Sequence, residues 1–202
     1  MDSLAVRIRE KISELQDEFE KGVEERRQKF SYTLEKGKVV FEQGVEARHR
    51  LLRMKLLRFL RESKVLPIVT CPVIYSLIIP ISMLDLFMTI YQHICFRVYN
   101  IPRVKRSEYV VMDRKYLQYL NIIQKLNCVY CEYSNGVISY AREIASRTEQ
   151  FWCPIKHARK VKHTHDRYYE FLEYGDSDNF LVKMDEQRDK CRACEEPCDT
   201  KK

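Results

Sequence analysis

Apolar residues recur at helical spacing along the first part of the chain, with charged residues of both signs between them. One face of the implied helix is therefore apolar and the opposite face is charged. The pattern predicts one long amphipathic helix over residues 3–62, with glycines as its weak points. We expect its apolar face to pack against a partner protein or a second copy of the chain, and the alternative is a helix lying on a membrane surface. The apolar positions are Leu4, Ile8, Ile12, Leu15, Phe19, Val23, Phe30, Leu34, Phe41 and Val45.

A basic run closes this first domain, which we place at residues 1–64. Glu62 is the one carboxylate that opposes its seven cationic side chains. Because the run directly precedes the most apolar part of the chain, it predicts attraction to anionic lipid headgroups on the cytoplasmic side of a membrane. The alternative is a solvated helix face beside a core segment. The seven residues are Arg48, Arg50, Arg53, Lys55, Arg58, Arg61 and Lys64.

The apolar segment, residues 65–97, exceeds the roughly 20 residues that one membrane-spanning helix needs. Basic residues flank it on both sides, which fits a hairpin that enters and leaves the membrane on one side, with Pro80 at its turn. A single span and a buried soluble core are the alternatives. Asp85 is the only carboxylate in the segment. We expect it to pair with a flanking arginine, although an ionisable group in such a segment can also be functional.

A small helical head is predicted for residues 98–175. Helical spacing on both sides of Ser134-Asn135-Gly136 indicates two helices joined by a turn. Such a turn would bring the pair Cys128 and Cys131 against the pair Cys153 and His157. Three thiolates and one imidazole suit a tetrahedral zinc ion, and four protein ligands are typical of a structural site rather than a catalytic one.

Other interpretations of these cysteines stay open at this point. The same ligands could hold an iron–sulfur cluster, because soft ligands do not distinguish iron from zinc. The cysteines could also be inert core residues, or Cys128 and Cys131 could form a redox pair. The N-terminus is highly charged and does not have the pattern of a signal peptide, so we expect reduced thiols rather than a disulfide framework.

The tail, residues 176–202, is charged and is predicted to be loosely ordered. Its cysteines have Cys-x2-Cys-x3-Cys spacing, and histidines lie upstream of them. A second metal site is therefore an alternative to a flexible tail with reactive thiols. Its ligands would come from Cys191, Cys194, Cys198, His163 and His165.

The stretch from Tyr119 to His157 carries a resemblance. It contains YLNIIQKLNCVYC and then YSNGVISYAREIASRTEQFWCPIKH. These residues resemble a bacterial family of membrane-associated proteins, and the resemblance reaches back to about Pro67. The family has no established activity, so the resemblance implies a bacterial source and no mechanism.

Together these patterns predict an all-α protein with an amphipathic N-terminal helix, a membrane hairpin or span, and a metal-binding head. We expect a scaffold or adaptor on the cytoplasmic face of a bacterial inner membrane, bound to anionic lipid and to a protein partner or its own copy. A membrane-bound redox protein is the alternative. The net charge of +7 is moderate and no nucleic-acid motif accompanies it, so nucleic acid is not the expected partner. No phosphate-binding loop or nucleophile elbow is present, which argues against the common enzyme classes.

Overall fold

The computed structural model describes residues 2–30, 32–35, 38–42, 44–55, 58, 61 and 65–193. The chain divides into two compact units. The first unit contains residues 1–62 and 113–126, and the second contains residues 63–112 and 127–202. The described part of the chain is mostly helical, as the sequence predicts.

The first unit begins with helix α1 (Asp2–Lys29) and continues with a β-hairpin. Strands β1 (Tyr32–Glu35) and β2 (Lys38–Phe41) pair antiparallel, and helix α2 (Val45–Leu51) follows them. The prediction of one helix through residue 62 is therefore wrong beyond α1. The physical reason is local, since both strands are rich in aromatic and β-branched side chains that favour an extended backbone.

Three aromatic rings join elements of this unit. The ring of His49 on α2 lies edge-on to the rings of Phe41 and Tyr119, at 5.2 Å from each centroid. A further turn of 3₁₀-helix covers Arg114–Tyr116. Leu15 and Phe19 of α1 are not involved in this packing, because they remain 64% and 73% exposed.

The second unit contains the apolar segment as one continuous helical rod, so the predicted hairpin is wrong. The rod consists of α3 (Val65–Ser76), α4 (Ile78–Tyr91), a π-helical turn over Gln92–Phe96 and a final turn over Arg97–Tyr99. Pro80 does not reverse the chain because it lies in the first turn of α4. Backbone N–H groups there have no helical acceptor, so a proline costs little.

Helix α5 (Ile122–Trp152) runs without interruption through the predicted turn, which is also wrong. Gly136 serves close packing rather than a turn. A Cβ built at Gly136 would lie 2.7 Å from the carbonyl oxygen of Tyr109 and 2.9 Å from Cα of Val110. The absent side chain therefore lets the chain that follows the rod approach the backbone of α5. We call this segment, residues 100–121, the connection after α4.

The rest of the second unit covers one end of α5. One helical turn (Arg106–Tyr109) precedes α5, and a 3₁₀ turn (Asp166–Glu170) and helix α6 (Phe180–Ala193) follow it. The prediction of a loosely ordered tail is wrong for α6, whose Gln187 and Cys191 are buried. Residues 194–202 lie outside the described residues.

The apolar rod and α5 pack side by side and run in the same direction. The hydroxyl of Tyr130 donates to the carbonyl of Ile74 at 2.8 Å, near the start of both helices. Near their ends, the ring of Tyr99 lies 5.3 Å from that of Phe151 and 5.2 Å from that of Trp152. Residues near the start of one helix therefore contact residues near the start of the other, and the same holds at their ends. This happens only when two helices are parallel.

The hydrophobic core lies where the far half of this pair meets the connection after α4 and helix α6. It forms around fully buried aromatic and aliphatic side chains from all four elements. Its members are Phe96, Ile101, Val104, Tyr140, Ile144, Phe151 and Cys191.

We expect Gly136→Ala to lower the free energy of unfolding by about 1–3 kcal/mol, because backbone atoms in the way of the new methyl group cannot easily move. Denaturant unfolding of the full chain measures the change. Ser139→Ala on the same helix is the control, since Ser139 is exposed. An equal effect of the two substitutions would contradict the close-packing role of Gly136.

Candidate membrane-binding face and buried polar clusters

The apolar rod presents a stripe of large aliphatic and aromatic side chains to the outside. Each of them is at least 45% exposed, and the stripe follows the rod for about 48 Å from its first to its last residue. Exposed apolar surface of this extent marks contact with a membrane or another protein. We name it the apolar stripe, and it consists of Leu66, Val69, Val73, Leu77, Ile79, Met83, Leu86, Phe87, Ile90, Ile94 and Val98.

Within this rod, Val69–Tyr99 is long and apolar enough to cross a membrane, judged by length and composition. Its mean hydropathy over the best window is 2.0. The end of the rod is cationic, because Arg97 and the nearby Arg103 and Lys105 are exposed.

The opposite side of the rod is polar and faces α5. We name it the polar seam, and it consists of Tyr75, Ser82, Asp85, Thr89 and Gln92. These residues are spaced by three, four or seven positions, so they share one helix face. Each has a polar partner elsewhere in the second unit.

Asp85 makes the strongest of these contacts, and its predicted pairing with a flanking arginine is confirmed. Nε of Arg106 donates to Oδ1 at 2.9 Å and Nη2 donates to Oδ2 at 2.7 Å. The hydroxyl of Tyr133 on α5 adds a third hydrogen bond at 3.0 Å. A bidentate arginine and a phenol satisfy the carboxylate, so Asp85 fastens the rod to α5 and to the connection.

Gln92 joins the same elements one heptad further along the rod. Its Oε1 accepts from the backbone N–H of Val104 at 2.9 Å, and its Nε2 donates to the Val104 carbonyl at 3.3 Å. The same Nε2 also contacts the hydroxyl of Tyr140 on α5. Gln92 is 2% exposed, and its amide thus links three segments in the interior.

A second polar cluster is buried between α5 and the 3₁₀ turn, and we name it the arginine–carboxylate cluster. Oε1 of Glu143 accepts from Nε of Arg147 at 2.8 Å and from Nη2 of Arg167 at 2.7 Å. Arg167 also donates to the hydroxyl of Ser146 at 2.8 Å, and Arg147 donates to the carbonyl of Pro102 at 2.6 Å. All three charged side chains are less than 10% exposed.

Burial alone would raise the pKa of the Glu143 carboxyl. Hydrogen bonds and charge from Arg167 and then Arg147 outweigh that effect, so the pKa lies below its ordinary value. Two cations thus share one buried carboxylate, which stays ionised. Glu143 is therefore suited to holding segments together rather than to proton transfer.

The four predicted zinc ligands are not brought together. Cys128 and Cys131 lie in the first third of α5, and Cys153 directly follows its last residue, so about 30 Å separates the two pairs. The predicted turn that would have joined them is the turn that α5 lacks. Among the described residues, no group of three or more His, Cys, Asp or Glu side chains is placed to hold a metal ion.

His157 also lies outside any helix. Its backbone N–H donates to the hydroxyl of Tyr168 at 2.7 Å, and its ring stacks on the Tyr168 ring. Pro154 is buried at a parallel bridge between Ile155 and Leu172.

The described members of the predicted second metal group are not brought together either. Cys191 is buried in α6 and its thiol contacts the carbonyl of Arg147 at 3.6 Å. His165 lies with Nε2 at 2.9 Å from a carboxylate oxygen of Glu149, while its Nδ1 accepts from a backbone N–H. His163 is exposed with a positive φ of 57°. The remaining members, Cys194 and Cys198, lie outside the described residues.

Six of the seven residues of the basic run are described, and those six belong to the first unit. Those six are exposed, and one of them, Arg50, lies 3.6 Å from a carboxylate oxygen of Glu46. Lys64 lies outside the described residues. Exposure of the run is compatible with lipid contact and with plain solvation.

Two functional features escaped prediction from the sequence. The polar seam was visible as regular three- and four-residue spacing of polar side chains within the apolar segment. The arginine–carboxylate cluster had only a weak local signal, the i,i+4 spacing of Glu143 and Arg147. Arg167 comes from a distant segment and gave none.

No protein-family profile, curated protein or solved structure matches this chain.

We expect Glu143→Gln to lower the free energy of unfolding by about 3–5 kcal/mol, because it leaves two buried arginines without a compensating charge. The folded pKa of Glu143 lies below its unfolded value, so its contribution is full above the unfolded pKa and is lost as pH falls through the folded one. The difference between wild type and variant should therefore shrink as the pH falls from neutral to about 3.

Denaturant unfolding across that pH range measures both effects. Glu173→Gln removes the same charge from an exposed pair with Lys156 and should cost less than about 1 kcal/mol. A pH-independent difference for Glu143→Gln would contradict the assigned charge state.

The separation of the cysteine pairs predicts that Cys128→Ser/Cys153→Ser changes neither metal content nor the free energy of unfolding by more than about 1 kcal/mol. Both thiols lie at least partly at the surface, so little packing is lost. Elemental analysis of the reduced, purified protein and denaturant unfolding check this. About one zinc per chain, lost in the variant, would instead require α5 to bend at residues 134–136.

Proposed function

We propose that this protein is a non-enzymatic scaffold or adaptor that attaches to a membrane by laying its apolar rod along one leaflet. The observation that carries the proposal is the reversed polarity of the rod. Its apolar stripe faces outward, and its polar seam faces the protein. A helix that packs on a soluble core shows the opposite arrangement.

Reversed polarity is what a lipid environment favours. Hydrocarbon solvates the outward aliphatic side chains, while polar groups are stable only where they meet polar partners. Asp85 and Gln92 have such partners on α5 and on the connection after α4. In water, the apolar stripe would instead expose a long apolar surface to solvent.

The parallel packing of the rod and α5 argues against a bilayer crossing. The two helices contact each other from Ile74 to the end of the rod, so both would have to cross in the same direction. The connection between them, residues 100–121, would then have to cross back. It contains seven charged residues and long irregular stretches, which do not occur in contact with lipid.

A rod lying in the membrane plane satisfies all of these constraints. Its apolar stripe would sink into the boundary of headgroups and acyl chains, and the polar side of the unit would stay in the aqueous phase. Exposed Arg97 and Arg103 near the end of the rod suit anionic headgroups. Trp152, which is 48% exposed and packs on Tyr99, suits the interfacial zone.

The attached protein is best suited to holding partners rather than to catalysis. The charged groups of the arginine–carboxylate cluster are all paired with one another, and the polar seam is occupied by structural hydrogen bonds. Exposed cationic side chains near the end of the rod suit the anionic lipids of a cytoplasmic leaflet. We therefore place the attachment on a cytoplasmic membrane face.

Flotation of the purified full chain with lipid vesicles tests this proposal. We expect the wild type to float with zwitterionic vesicles and more completely with anionic ones. Phe87→Asp/Ile94→Asp should lower membrane partitioning at least about a hundredfold, because two exposed apolar contacts are replaced by charges. Both side chains are about 60% exposed, so the fold should be preserved.

Leu181→Asp/Val182→Asp on α6 is the matched control, since these residues are equally apolar and more exposed. It should float like the wild type. Protease added outside sealed vesicles should reach segments on both sides of the rod, whereas a crossing helix would protect one of them. Failure of the wild type to float would overturn membrane attachment and assign the apolar stripe to a protein partner.

A further inference from the structure

We propose that two copies of this chain associate through α1 as an antiparallel coiled coil. This inference is independent of membrane attachment. It starts from the apolar stripe of α1, on which Ile12, Leu15 and Phe19 are 51%, 64% and 73% exposed. Every side chain from Lys11 to Glu20 is exposed, so the described unit leaves this face of α1 uncovered.

Charge distinguishes a protein partner from a lipid surface. Helix α1 carries eight acidic and seven basic residues, and acidic side chains crowd its central part. Helices that lie on anionic membranes have basic polar faces, so α1 lacks the required charge. Mixed charges beside a narrow apolar stripe are typical of helices that pair with other helices.

The spacing of the small and apolar residues of α1 fits a coiled coil of three heptads. Small or apolar residues occur at alternating intervals of three and four, which are the a and d positions that meet a facing helix. The large side chains occupy the middle, and small ones occupy both ends. The positions are Ala5, Ile8, Ile12, Leu15, Phe19 and Gly22.

In an antiparallel dimer, these six positions on one copy face the same six positions on the other in reverse order. Ile12 would face Leu15 of the second copy, and Ile8 would face its Phe19. The middle layers then combine large apolar side chains, the end layers combine small residues, and the pairing obeys a two-fold axis, as most homodimers do. Ala5 would face Gly22 at either end, where the helices come closest.

The charged residues beside the apolar positions of α1 favour antiparallel pairing over parallel pairing. In the antiparallel register Lys11 of one copy faces Glu18 of the other, and the two-fold axis makes this ion pair twice. In a parallel coiled coil Lys11 would face Gln16 and Glu18 would face Val23. Only the antiparallel register gives attractive pairs at these flanking positions.

Sedimentation equilibrium of the full chain in density-matched detergent tests the proposal. The wild type should have twice the 24.4 kDa chain mass. Lys11→Glu and Glu18→Lys should each raise the dimer dissociation constant about tenfold, because two attractive pairs become repulsive. An equimolar mixture of the two variants should recover the wild-type constant, since each copy then offers the charge that the other lacks.

Asp17→Lys is the control, because Asp17 lies on the face opposite the apolar stripe of α1. It makes the same charge change as Glu18→Lys but should leave the dissociation constant unchanged. It should also fail to restore dimers when mixed with Lys11→Glu. Circular dichroism verifies that each variant keeps its helix content.

A monomeric wild type would overturn the proposal, as would single variants that dimerise like the wild type. If Asp17→Lys weakened the dimer as much as Glu18→Lys does, net charge alone would explain the effect. That result would overturn the proposed register. Leu15→Asp should abolish the dimer and leave vesicle flotation intact. Loss of flotation with an unchanged dimer would assign the stripe of α1 to lipid instead.

Discussion

The parallel contact between the apolar rod and α5 constrains everything else in the second unit. Two neighbouring helices that run in the same direction require the chain to return along their full length. That return places Arg106 opposite Asp85 and the backbone of Val104 opposite Gln92. It also explains Gly136, because the returning backbone passes within reach of the position where its Cβ would be.

The far half of the helix pair depends on charge rather than on apolar contact alone. Glu143 gathers Arg147 from its own helix and Arg167 from a distant segment, and Arg147 reaches the carbonyl of Pro102. Burying three charges is favourable only when all are paired and hydrogen-bonded. The cluster therefore specifies one position for the 3₁₀ turn, which apolar packing would leave less defined.

Sequence pattern predicted the features that repeat, namely the amphipathic α1, the apolar rod and the helical character of α5. The sequence pattern failed to predict the structure at single residues that are compatible with both a turn and a helix. Gly136 after Ser134-Asn135 has the composition of a turn, yet its role depends on a backbone segment 26 residues earlier in the chain. Pro80 was ambiguous in the same way, because a proline marks either a turn or a first helical turn.

The zinc prediction depended entirely on one of these ambiguous residues. Cysteine spacing defines pairs, and only the fold decides whether two pairs meet. With a turn at Gly136 they would face each other, whereas the continuous helix α5 places 21 helical residues between Cys131 and Cys153. Long-range partners such as Arg167 are invisible to spacing for the same reason.

The proposed attachment to a leaflet would place a demand on the polar seam that a soluble protein does not face. A helix sunk to the boundary of the acyl chains brings its inner side near a medium of low dielectric constant, where an unpaired polar group costs several kcal/mol. The seam meets this demand with partners supplied by α5 and the return connection, including a bidentate arginine for its one carboxylate. Because the polar groups of the seam are satisfied on the inside, large apolar side chains can occupy most of the outer side of the rod. The same contacts that join the rod to α5 thus make the second unit one-sided, with the apolar stripe, for which we propose lipid, on one side and the charged surface on the other.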